Sequence, residues 1–149
     1  MAFRFSLQSV LRLRRSLENQ EEQRLMAIAA ESARVRSEIQ KLEEAAQLQS
    51  ELQFEEMQPG AAIGVMLQFQ AECQERRIKL KGEWTKKLAE LERKRQEQAG
   101  AYRNARQKRE ILEGLRDHKR EEWKMEIAQR EQQRMDEAFL MRKAREERE

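Results

Sequence analysis

The chain has 149 residues, of which 40% are charged and 5% aromatic, with one Pro, one Cys and one His. Ordinary globular chains carry about 25% charge, and this one offers too little apolar side chain for an all-round core. The net charge is only +3, and Ala, Glu, Lys, Leu, Arg and Gln dominate, so the composition argues for long helices or a coiled coil over disorder.

Cys73 has no partner for an intramolecular disulfide, which suits a reducing compartment. With His118 as the lone histidine, no Cys/His metal cluster is available. The longest apolar run, Ala61 to Leu67, falls far short of the roughly 20 residues that cross a bilayer, so no transmembrane segment is expected.

Residues 1–17 carry Arg4, Arg12, Arg14 and Arg15 and no acid, a charge of +4. An Arg-rich amphipathic start also describes a transit peptide or a membrane-surface helix. Few hydroxyl residues and no evident cleavage boundary favour a coiled-coil end or a partner site, and a secretory signal's apolar region is missing. Leu7, Val10, Leu11, Leu13 and Leu17 form a first apolar cluster. Residues 18–24, ENQEEQR, contain no apolar residue, so packing there must be weak or polar. Leu25, Ile28, Ser32, Val35, Ile39, Leu42 and Ala46 then follow at alternating three and four spacing, a heptad seam broken only by Ser32.

The one strong breaker is Met57 to Gly64, where Pro59 cannot sit in a helix interior and Gly60 and Gly64 add turn character. Beyond it a looser stripe runs through Leu80, Trp84, Leu88, Leu91, Arg95, Gln98, Tyr102 and Ala105, then Leu112, Leu115, Trp123 and Ile127. Glu72 with Arg76, Glu75 with Lys79, Glu83 with Lys87 and Glu90 with Lys94 are spaced for pairing along the helix. Gly82, Gly100 and Gly114 mark candidate bends. Residues 18–57 sum to −6 and residues 58–149 to +5, which favours antiparallel pairing of the two stretches.

The expected fold class is all-α: a single domain over residues 1–149, built as a long two-helix antiparallel coiled-coil hairpin with the second helix longer than the first. Helix one is expected at about 5–57, the turn at about 58–63 and helix two at about 64–146. Helix one then covers helix two only to about residue 115. Trp123, Ile127, Met135, Phe139 and Met141 are expected to lack an intramolecular partner, which marks either a contact surface or a frayed tail.

No catalytic constellation is present: the phosphate-loop and dinucleotide patterns are missing, and a single His excludes HExxH. No enzyme, cofactor or metal is expected. Residues 103–120 hold seven bases and three acids, but neither a recognition fold nor an aromatic stacking platform accompanies them. Salt-sensitive binding to nucleic acid or a membrane surface is one alternative function. A generic tethering coiled coil, or a stalk subunit of another ATPase, is the other.

The opening FRFSLQSVLRLRRSLENQEE resembles the start of the flagellar export protein FliJ family, and the closing EQQRMDEAFLMRKARE, Glu131 to Glu146, resembles its end. The Pro/Gly break between two long charged helices is similar as well. The resemblance implies a cytoplasmic component of the flagellar type III export apparatus, serving motility, with peripheral association at the inner membrane. It implies that the chain promotes the export ATPase ring, links it to the membrane export-gate protein and helps handle export chaperones. The implied partners are the ATPase with its regulator, the gate and the chaperones, with no specific nucleic acid. Carried over by the resemblance, Met66, Phe69, Gln70, Cys73 and Arg77 are the gate-binding candidates. Phe3, Phe5, Leu7, Met135, Phe139 and Met141 form the expected ATPase-facing tip.

Overall fold

The computed structural model describes residues 2–56 and 63–149. Its two helices are α1, Gln8–Glu56, and α2, Ile63–Glu146, with no strand among the described residues. The fold class is therefore all-α, with the second helix the longer. Helix α1 begins later than the expected residue 5. Its first turn holds no acid to complement the helix dipole, and Ser6 and Leu7 form a turn in which the Gln8 N–H donates to the Phe5 carbonyl at 3.1 Å. Helix α2 ends where expected, with Lys143 and Arg145 placed favourably in its last turn. The expected turn lies outside the described residues, except for Ile63, which is already helical. Helix α2 is continuous through Gly82, Gly100 and Gly114.

The chain forms two compact units. The central unit is Gln20–Tyr102, and the terminal unit combines Met1–Asn19 with Arg103–Glu149.

In the central unit the helices pack antiparallel. Lys87 of α2 reaches Glu31 of α1 at 3.6 Å, whereas the earlier Lys81 reaches the later Glu43 at 3.0 Å. The heptad seam of α1 faces inward: Ser32 and Val35 are buried, and Leu25, Ile28, Ile39, Leu42 and Ala46 are half-buried. Leu91 is the buried counterpart on α2, flanked by half-buried Trp84, Leu88, Gln98 and Tyr102. The hydroxyl of Ser32 has no hydrogen-bond partner. The apolar-free stretch of α1 packs through polar groups, as its composition requires: Glu21 accepts a hydrogen bond from the Gln98 amide.

Three expectations for α2 need correction. Leu80 is exposed, and its neighbours Ile78 and Lys81 line an open groove rather than a closed seam. Arg95 is also exposed, because two hydrogen bonds to Glu92, at 3.0 and 2.6 Å, hold it on its own helix surface. Lys87 pairs with Glu31 across the helices, where Glu83 one turn earlier was the expected partner, while Glu90 and Lys94 do stand in pairing range at 3.9 Å.

In the terminal unit Leu11 is completely buried. One helical turn further on, the seam becomes charged. Arg15 donates twice to Glu113, at 3.2 and 3.0 Å, and Arg109 donates to Glu18 and, at 2.6 Å, to Glu113. These groups are only partly exposed, Glu18 least of all. The hydrogen bond from Arg15 holds the Glu113 carboxyl below the ordinary glutamate range, and Arg109 adds to this. The hydrogen bond to Glu18 raises Arg109 further above its usual value.

Trp123 and Ile127 are not unpartnered. The Phe3 ring lies 5.9 Å from that of Trp123, and Ile127 is half-buried. The residues ahead of α1 extend the coverage of α2 beyond residue 115, because an extended segment reaches about twice as far per residue as a helix. From residue 128 to 149 every residue is exposed.

Candidate functional site

The five gate-binding candidates lie in the first turns of α2, within the central unit. Phe69 is 63% exposed and Met66 44%. Gln70, Cys73 and Arg77 are half-buried. Met66, Gln70, Cys73 and Arg77 follow one another at spacings of four, three and four, so they share one helix face. Phe69 projects about 60° away from Met66 and about 100° away from Gln70 on that helix. The inward stripe of α2 thus begins as early as Gln70, whereas the apolar pattern placed its start at Leu80.

Beside this stripe the two helices leave a groove of about 570 Å3, lined by Gln70 and Arg77 from α2 and by Leu42, Ala46, Gln49 and Gln53 from α1. Small and amide side chains there cannot fill the space that Leu or Trp fills elsewhere in the seam. The Gln49 side-chain oxygen is buried in it without a partner. Sequence reasoning missed these α1 residues, because glutamine carries no apolar signal in a periodicity reading.

The six tip candidates belong to the terminal unit and fall into two groups. Phe3 and Phe5 are half-buried and Leu7 is marginally exposed; all three line a recess with Leu115 and Trp123. Met135, Phe139 and Met141 stand on the bare end of α2, each about two-thirds exposed. Met135 and Phe139 are four apart and line a shallow depression with Ala138 and Arg142. Met141 projects from the other side of the helix, with Leu140 between. Leu140, equally exposed and not singled out from the sequence, extends this apolar surface.

His118 is a surface residue, 3.2 Å from Glu122. No group of His, Cys, Asp and Glu side chains among the described residues is arranged to hold a metal ion. No helix among them is long and apolar enough to cross a membrane.

The family model of the flagellar FliJ protein matches residues 3–148, nearly the whole chain. The chain belongs to the flagellar FliJ family. It is therefore a helical coiled-coil protein associated with flagellar type III export. No curated protein and no solved structure matches it.

Proposed function

We propose that this FliJ family member is a non-catalytic linker that promotes assembly of the export ATPase ring and couples it to the membrane export gate. It handles export chaperones on the way, at the cytoplasmic face of the inner membrane. The observation that carries this reading is the bare end of α2. Met135, Phe139, Leu140 and Met141 are all more than 60% exposed on a formed helix. Large apolar side chains held in water on an ordered helix act as anchors for a partner, and the bases around them, Arg134, Arg142, Lys143 and Arg145, orient the approach.

The gate contact lies in the first turns of α2, on Met66 and Phe69 with Gln70, Cys73 and Arg77 beside them. Met66 and Phe69 are open enough to serve a partner at little cost to the fold. Replacing both by Ala should leave the melting temperature nearly unchanged and weaken binding to the purified gate protein, while stimulation of the ATPase persists. Undiminished gate binding by the double variant would remove these residues from the site.

A further inference from the structure

The charged layer of the terminal unit sits where a coiled-coil seam ordinarily carries Leu or Ile. Such a layer adds little net stability, because desolvation of its charges offsets their attraction. Its arrangement is informative about register. In an antiparallel pair an apolar seam tolerates a slip of one heptad, since each Leu then meets another apolar residue. The terminal unit has few apolar residues to resist this: among its described hydrophobic residues only Leu11 is fully buried.

Arg15 pairs with Glu113 in the observed register. Seven residues before Glu113 on α2 stands Arg106, and seven residues after it stands Arg120. A slip of one heptad in either direction therefore brings Arg15 against another arginine. Both neighbouring registers are penalised, and the observed one supplies a carboxylate shared by Arg15 and Arg109. Glu18 takes the other side of Arg109 in the observed register.

We propose that the layer of Arg15, Glu18, Arg109 and Glu113 is a register lock, and that it fixes how many residues of α2 run bare beyond α1. A slip of one heptad would move the point where exposure begins, now residue 128, by about seven residues, or roughly 10 Å along the axis. The lock thereby sets the reach of the exposed Met135 and Phe139 surface from the Phe3 end of the same unit. Charges, unlike leucines, distinguish one heptad from the next.

The test measures the distance between spin labels at Ser9 and Arg130, both exposed, in the full chain with Cys73→Ser. The chain with its charged layer intact should give one distance. Replacing Arg15, Glu18, Arg109 and Glu113 together by Leu should keep the helical signal and add populations displaced by up to about 10 Å. Arg15→Glu alone is the second arm. It sets Glu against Glu113 in the observed register and against Arg106 or Arg120 in the slipped ones, so the original distance should give way to displaced ones. A single unchanged distance in either variant would overturn the proposal and assign register to the apolar seam. Loss of any defined distance in Arg15→Glu, meaning that the unit opens rather than slips, would overturn it too.

Discussion

The ring of Phe3 lies against that of Trp123, centroids 5.9 Å apart and planes tilted by 53°, a separation at which aromatic pairs attract. The contact anchors a segment that precedes the first helix. Trp123→Ala should cost about 1–2 kcal/mol, less than the 3–5 typical of a fully buried ring, because Trp123 is only half-buried. Denaturant unfolding followed by circular dichroism measures this. Unchanged stability would mean that the N-terminal segment adds nothing to the fold.

Stability should fall on acidification through Glu113. Its carboxyl is held below the ordinary glutamate range, first by the hydrogen bond from Arg15. A depressed carboxylate contributes stability that is present above its unfolded value, about 4.3, and is lost as pH drops through the lower folded value. Arg109 acts in the other direction: its raised value leaves its contribution intact at all working pH. With both partners partly exposed, the Glu113 share is on the order of 0.5–1 kcal/mol. Glu113→Gln should flatten the acid limb of a melting-temperature profile, and an identical limb in the variant would contradict the assignment.

Ser32→Ala should stabilise the protein. The hydroxyl is buried in the seam with no partner, and an unsatisfied buried polar group costs about 1–3 kcal/mol. Alanine also has the higher helix propensity. A rise in stability of about 1 kcal/mol is expected by urea titration. A fall would show that the hydroxyl makes a bond through water.

Gly82, Gly100 and Gly114 lie inside an unbroken helix, and a Cβ added at any of them meets nothing within 4 Å. Each replacement by Ala should therefore gain about 1 kcal/mol, with near-additivity because the sites are far apart. Thermal unfolding of the single and triple variants checks this. A destabilised triple variant would mean that α2 uses these glycines to bend.

The helices, their antiparallel pairing and the α1 seam from Leu25 to Ala46 were legible in the sequence, because heptad spacing and helix-forming composition agree over long runs. The polar contact of residues 18–24 was legible too, since a stretch without apolar residues can pack only through groups such as Glu18 and Glu21. The Phe3–Trp123 contact was not, because a segment outside any helix has no periodicity to extrapolate. The charged seam positions Arg109 and Glu113 were hidden among many surface charges; nothing in one residue type marks it as inward-facing. The candidate sites were named through resemblance to a family, and only the exposure of Met135, Phe139 and Met141 followed from the pattern itself.

In the proposed function the bare end of α2 serves the export ATPase while the first turns of α2 serve the gate. The most direct measurement compares the full chain with a chain ending at residue 130, which keeps every buried and half-buried residue of the structure. Each is tested against the purified ATPase and the purified gate protein separately. The truncated chain should lose ATPase stimulation and retain gate binding. Full stimulation by the truncated chain would contradict the account and leave Met135, Phe139 and Met141 as a solvated tail.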